Sequence, residues 1–244
     1  IALRMERGGR LIYCGAGTSG RLGVLDAAEC EPTFSSRPGQ VIGLIAGGPS
    51  AMLRAVEGAE DSAALGEHDL RALSLTKDDC VVGIAASGRT PYVLGALAYA
   101  NATGAFTAGV VCSADSAVAA AAQCPIEVVT GPEVLTGSTR LKAGTATKLV
   151  LNMISTAAFI RLHKVYGNLM VDVQPTNQKL VERTIRIVAT AANVAREVAA
   201  KALQTCGFEA KTAIVVLCAA VEPEVARARL LAGNGSVRRA LEAR

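Results

Sequence analysis

Two short loops that combine glycine with hydroxyl side chains are the parts of this 244-residue chain best suited to chemistry. Residues 15–20 have the sequence GAGTSG and residues 87–91 have the sequence SGRTP. Glycine lets the backbone approach a ligand, and hydroxyl groups beside the N–H groups of a helix start can bind an anion. Together the two loops predict a site for a phosphate monoester. Its candidate ligands are Thr18, Ser19, Ser87, Gly88 and Thr90.

The first loop also fits the G-x-G-x-x-G pattern of dinucleotide-binding proteins. That function needs an acidic residue at the end of the second strand, where it binds the ribose. The second apolar run here is followed by AGG at residues 46–48, without an acid. The pattern therefore does not favour a nucleotide. A structural role, in which Ser19 caps its own helix, is compatible with anion binding at the same place.

The elements that must position these loops are short apolar runs separated by helical patterns. The runs lack a clean alternation of polar and apolar residues, which is typical of strands covered on both faces. Such alternation of strand and helix predicts an α/β fold, a doubly wound and mostly parallel five-stranded sheet of Rossmann-like type. The carboxyl ends of parallel strands share one edge, so both loops should meet there. The predicted strands are 10–14, 40–45, 80–85, 106–112 and 126–129, and the predicted helices between and after them are 19–29 (ended by Pro32), 50–63, 91–102, 116–122 and 142–163.

Beyond about residue 184 only helical patterns remain, at 193–206, 210–221 and 223–232. They predict a small bundle or a tail that covers the sheet. We therefore expect a sheet domain at 1–183 and a small helical C-terminal domain at 184–244.

Composition argues against several functions. Aromatic residues make up 3% and the net charge is +4 without basic runs, so no nucleic-acid partner is expected. The seven cysteines include no C-x-x-C pair and suit a reducing cytoplasm. The uncharged stretch 92–114 is interrupted by Asn101 and Gly104, so no membrane span is predicted. No metal site is expected.

Several runs resemble one family. The two hydroxyl loops resemble those of the sugar isomerase (SIS) domain. Residues 131–142, GPEVLTGSTRLK, resemble a signature shared by N-acetylmuramic acid 6-phosphate etherases and glucokinase regulatory proteins. Residues 15–26, 56–62 and 166–172 are similar to the bacterial etherases in particular. The similarity extends from about residue 8 to the end and is firmest up to about 179. One departure is Ala28, where the etherases commonly carry serine.

The resemblance implies cleavage of the lactyl ether of N-acetylmuramic acid 6-phosphate, which releases D-lactate and N-acetylglucosamine 6-phosphate during recycling of cell-wall sugar. The reaction would be an elimination followed by addition of water, without metal or redox cofactor. Glu29 would protonate the departing lactate oxygen, and Glu60 would remove the proton from C2. Ser138, in the loop after the fifth strand, would contact the sugar or its phosphate. A homodimer is also implied.

The spacing of Ser19 and Glu29 constrains this assignment. Ten residues of unbroken helix separate them by about 15 Å, more than a hexose spans. Either the helix ends or bends early, near Gly23, or Glu29 reaches the site of a partner subunit. Two other functions stay open: a regulatory module that binds a phosphosugar without chemistry, and an aldose–ketose phosphosugar isomerase of the same fold.

Overall fold

The computed structural model describes residues 1–173 and 177–243. The chain forms two compact units, one made of residues 1–30 and 37–156 and the other of residues 31–36 and 157–244. The sequence-based boundary between 183 and 184 falls inside the helix Gln178–Ala192 of the second unit. As a division into domains of separate function, it stays a prediction.

The first unit is built on a parallel sheet of five strands, as the sequence predicted. Its strands run in the order β2-β1-β3-β4-β5. Every neighbouring pair is parallel, and Gly15 at the end of the first strand lies opposite Ile45 on one side and Ile84 on the other. The fifth strand begins two residues before its predicted start. The strands are β1 (Leu11–Gly15), β2 (Val41–Ile45), β3 (Cys80–Ala85), β4 (Phe106–Val111) and β5 (Cys124–Glu127).

Helices cover both faces of this sheet, which is why its central strands are buried along their whole length. One face carries α3 to α5, whose Leu70 and Leu97 share a core with Ile12 of β1. The other face carries α2 and α6, which contact the buried Tyr13 of β1. Alternate residues of β1 thus serve opposite layers. The helices are α1 (Ala2–Glu6), α2 (Gly17–Phe34), α3 (Ala63–Ala72), α4 (Pro91–Thr103), α5 (Ala117–Ala121) and α6 (Lys142–Arg161).

Helix α2 corrects one sequence prediction. It begins at Gly17 and continues through Pro32 to Phe34, so the predicted span 19–29 was too short at both ends. Proline removes one backbone donor but does not forbid further helical residues. Ser19 consequently lies inside the first turn and is not the N-cap. The helix is unbroken at Gly23.

The segment after β2 corrects a second prediction. In place of a helix over 50–63, it forms two short 3-10 turns, Pro49–Met52 and Ala59–Asp61, joined by irregular chain. Gly58 lies between them with φ 72°, a left-handed conformation that interrupts a right-handed helix. Regular helix resumes only at Ala63.

A buried carboxyl group ties the helices of one face to the sheet. Asp26 of α2 is 5% exposed and accepts hydrogen bonds from Tyr13 Oη (2.7 Å), Asn152 Nδ2 (2.6 Å) and Ser155 Oγ (3.2 Å). The donors come from β1 and α6. Because a buried polar group is costly unless it is paired, this network fixes α2 and α6 against β1.

We expect Asp26→Ala to lower the free energy of unfolding by about 3 kcal/mol, because the buried Tyr13 hydroxyl and the half-buried Asn152 amide lose their acceptor. Urea unfolding followed by circular dichroism measures the loss. Asp61→Ala, at an exposed position, is the matched control. Equal stability of the two variants would contradict the anchoring role.

Helix α6 is, by length and composition, able to cross a membrane, and in its most apolar window 44% of the residues are buried inside the protein. Its Asn152 and Ser155 point to Asp26. A polar stripe bonded to a buried carboxyl group is the property of a core helix.

The second unit is largely helical, as predicted for the C-terminal part. Its core includes Val188, Leu203 and Ile214. A two-stranded hairpin that the sequence analysis did not predict precedes the helices, and Asp172 just beyond it pairs with Lys164 (3.1 Å) and Lys211 (2.7 Å). Its elements are β6 (Val165–Tyr166), β7 (Leu169–Met170), α7 (Gln178–Ala192), α8 (Arg196–Thr205), α9 (Ala210–Ala219), α10 (Pro223–Ala232) and α11 (Val237–Glu242).

Candidate active site

The two hydroxyl loops lie side by side at the carboxyl edge of the sheet. Strands β1 and β3 are neighbours, and the helices that follow them, α2 and α4, cover opposite faces. The connections that follow these two strands therefore leave the sheet toward opposite faces and open a crevice between them. Open α/β sheets bind ligands at such a crevice.

The first loop delivers its hydroxyls at the start of α2. Thr18 and Ser19 are the second and third residues of the helix and are half-buried. The first N–H groups of a helix lack partners within the helix, so they can bind an anion together with these hydroxyls. Gly20 allows the close approach of α2 to β1, because a Cβ atom there would lie 2.6 Å from the carbonyl oxygen of Gly15.

The second loop presents Ser87 and Thr90 around a buried glycine. Gly88 has φ 65°, and a Cβ atom on it would lie 2.2 Å from Cβ of Ser116, so packing alone requires glycine there. Ser87 is exposed, while Thr90 is the N-cap residue of α4 but makes no side-chain capping bond. Both hydroxyls are thus available to a ligand.

Ser138, the predicted ligand in the loop after β5, is half-buried. This loop is fixed by Glu133, whose carboxylate accepts the backbone N–H groups of Lys142 and Ala143 (both 2.9 Å). The bond from Ala143, with that from Lys142, holds the pKa of Glu133 below its usual value. The first turn of α6, which follows this loop, lies next to the first hydroxyl loop: a Cβ atom on Gly144 would lie 3.5 Å from Cγ2 of Thr18.

Glu60 lines a cavity of about 250 Å³ beside the start of α2. It belongs to the second 3-10 turn after β2, and the cavity wall also includes Gly17, Arg21 and Glu57. The predicted base thus shares a cavity wall with Gly17 of the first loop. That wall does not include Thr18, Ser19, Ser87, Gly88, Thr90 or Ser138.

Glu29 is not brought to the same place. Helix α2 is continuous from Gly17 to Phe34, so Glu29 lies about 15 Å from Ser19 along its axis. Its side chain is exposed. The early end of the helix that the sequence allowed near Gly23 does not occur.

A residue of interest that the sequence analysis did not select is Arg21. The sequence places Arg21 one turn into α2, but it does not indicate what the side chain contacts. Its hydrogen-bond partners lie some 30 residues away in the sequence, and only the folded chain shows them. Within residues 1–173 and 177–243, no three His, Cys, Asp or Glu side chains are grouped as a metal site would require.

Comparisons with known proteins agree with this geometry. The SIS domain profile matches residues 59–157, and the profile of the glucokinase regulatory protein N-terminal SIS domain matches residues 1–101. A solved structure from Bacteroides fragilis, described as a phosphosugar isomerase involved in capsule formation, shares the fold with a TM-score of 0.50 and 19% identity. It covers 66% of this chain and 74% of that one. The protein is thus of the SIS class.

Curated relatives define the family more narrowly. The chain is 62% identical over 240 residues to an N-acetylmuramic acid 6-phosphate etherase from Streptomyces coelicolor, covering 98% of this chain and 77% of the relative. It is 60% identical over 240 residues to the etherase of Serratia proteamaculans, covering 98% and 81%. The chain belongs to the N-acetylmuramic acid 6-phosphate etherase family.

Proposed function

We propose that this chain cleaves the lactyl ether of N-acetylmuramic acid 6-phosphate to give N-acetylglucosamine 6-phosphate and D-lactate, in the recycling of cell-wall sugar. The proposal is supported by close relatives named for this activity and by the position of Glu60, in a cavity that Gly17 of the first hydroxyl loop also lines.

The chemistry requires a base and an acid but no redox step. Once the sugar ring opens to the aldehyde, the C2 proton becomes acidic and Glu60 removes it. The C3–O bond then breaks, and a carboxylic acid supplies the proton that the departing lactate oxygen needs. Water adds to the resulting double bond: its hydroxyl joins C3, and a proton returns to C2.

The phosphate would be held by the hydroxyl-bearing residues Thr18, Ser19, Ser87 and Thr90, with the backbone at Gly88 close to it and Ser138 at its side. This arrangement uses neutral donors and a helix N-terminus, which suit a monoester dianion.

Glu29 would act as the acid in the active site of a second copy, in a homodimer. Its separation of about 15 Å from Ser19 along α2 favours a role at the site of a second copy over a role at the site of its own subunit. Leu25, one turn earlier on the same face of α2, is 50% exposed, and Leu149 and Met153 of α6 are 52% and 62% exposed. Exposed apolar side chains of this size on α2 and α6, the two helices that cover one face of the sheet, support a covering partner.

A reducing cytoplasm is the location we infer, because none of the seven cysteines forms a disulfide.

The activity is tested by incubating the purified protein with N-acetylmuramic acid 6-phosphate and measuring D-lactate. We expect lactate release, and in deuterated water a deuterium atom at C2 of the amino sugar product. Phosphosugar binding without lactate release would favour a regulatory binding module. Conversion of an aldose phosphate to a ketose would favour the isomerase.

The assembly is tested by sedimentation of the active protein. We expect a dimer. An active monomer would overturn the shared site, because a monomer offers no second copy whose site Glu29 could serve.

We expect Ser87→Ala to weaken binding of N-acetylglucosamine 6-phosphate by roughly 10-fold, because a hydroxyl donor to a charged group is lost. Binding of unphosphorylated N-acetylglucosamine should stay within about twofold. Calorimetry compares the two ligands. Equal losses would show that Ser87 does not contact the phosphate.

A further inference from the structure

The cavity beside Glu60 contains a cation to which the reaction so far gives no role. Arg21 lines it together with Glu57 and Glu60, and its side chain is half-buried. Arg21 is one turn beyond Gly17 on α2, so it faces the cavity from the side of the anion-binding loop.

The guanidinium group of Arg21 is held in place by neutral atoms. Its Nε donates to the carbonyl oxygen of Met52 (3.0 Å), and its Nη2 donates to that of Ala51 (2.7 Å). A guanidinium has five N–H donors, so three are left over. Among the residues that the structure describes, no ion pair includes Arg21. The group is therefore oriented and charged, with no carboxylate of the protein pairing with it.

The substrate of the proposed function carries two anionic groups. The phosphate has the hydroxyl loops as its site. The second anion is the lactyl carboxylate, joined through the ether oxygen to C3, the carbon next to the one on which Glu60 acts. A substrate that presents C2 to Glu60 must place its lactyl arm in or beside the same cavity.

We propose that Arg21 binds the lactyl carboxylate and so selects N-acetylmuramic acid 6-phosphate over sugar phosphates that lack this arm. A planar guanidinium matches a carboxylate with two parallel hydrogen bonds, and the carbonyl groups of Ala51 and Met52 fix its plane in advance. Its charge also offsets the repulsion that Glu57 and Glu60 exert on an incoming anion. This inference rests on the proposed function.

Binding is measured by calorimetry in the Glu60→Gln background, in which turnover of the substrate should be slowed by roughly 10²- to 10⁴-fold. We expect Arg21→Gln to weaken the binding of N-acetylmuramic acid 6-phosphate by roughly 10- to 100-fold, because a charged hydrogen-bonded pair is lost. N-acetylglucosamine 6-phosphate, which lacks the lactyl arm, should change by no more than about twofold, which also shows that the variant is folded. Arg21→Lys keeps the positive charge but cannot form two parallel hydrogen bonds to a carboxylate. Its affinity for N-acetylmuramic acid 6-phosphate should therefore fall by an intermediate amount, while its affinity for N-acetylglucosamine 6-phosphate should not change.

The matched control is Arg54→Gln, which removes an exposed arginine from the same segment and should leave both affinities unchanged. Equal weakening of both sugars by Arg21→Gln would overturn the proposal, since it would indicate a phosphate contact or a purely structural role. Unchanged affinity for the lactyl sugar would also overturn it. The etherase function itself is tested separately: if it is wrong, the parent protein releases no lactate from N-acetylmuramic acid 6-phosphate.

Discussion

Replacing Glu60 with glutamine should lower kcat for lactate release by roughly 10²- to 10⁴-fold, the range that general-base catalysis contributes. Glutamine keeps the size and the hydrogen bonding of the side chain but cannot accept the C2 proton. The cavity, the 3-10 turn Ala59–Asp61 and the loops that hold the phosphate should remain. Steady-state kinetics with N-acetylmuramic acid 6-phosphate measures the change.

The control for Glu60 is Asp61→Asn, which changes the next acid in the same turn. Asp61 is exposed and does not line the cavity, so activity should stay within about twofold. The Glu60 variant should also bind N-acetylglucosamine 6-phosphate as the parent does. Normal turnover by Glu60→Gln would remove the base from the mechanism.

The second large effect concerns Glu29. Glu29→Gln should also lower kcat by roughly 10²- to 10⁴-fold, because the lactate oxygen then departs without a proton from an acid. Its structural cost should be small, since the side chain is exposed on α2. The decisive measurement, however, is on a mixed dimer.

A dimer with one Glu29→Gln subunit and one Glu60→Gln subunit can be isolated through two different affinity tags. If each site joins Glu60 of one subunit to Glu29 of the other, one site is intact and the second carries both changes. About half of the parent activity should then return, as two-fold symmetry requires. If both acids served the same subunit, every site would carry one change and no activity would return.

The sheet could be predicted from sequence because its strands are covered on both faces. Runs such as Cys80–Ala85 are apolar at every position, and that pattern hardly depends on distant contacts. A parallel sheet also predicted that the two hydroxyl loops share one edge, whereas their neighbouring position follows from the observed strand order. The distance between Ser19 and Glu29 followed from the rise of an α-helix, once the structure showed that α2 is continuous between them.

The segment 46–62 could not be predicted in the same way. Its alanine, leucine and methionine favour helix, but a few glycines and one proline redirect the chain, and tertiary contacts decide the result. The carbonyl groups of Ala51 and Met52 accept hydrogen bonds from Arg21, which belongs to α2. A cavity formed by such contacts has no periodic signal in the sequence.

Helix α2 has a mechanical consequence. Its first turn carries Thr18 and Ser19, its other end carries Glu29, and Asp26 clamps it to the body of the protein between them. In the proposed dimer, α2 would contribute residues to two active sites. A displacement of α2 caused by substrate in one active site would therefore move the acid of the other active site. The two active sites should then be coupled. A plot of turnover rate against substrate concentration should deviate from a hyperbola, with a Hill coefficient above one for positive coupling or below one for negative coupling.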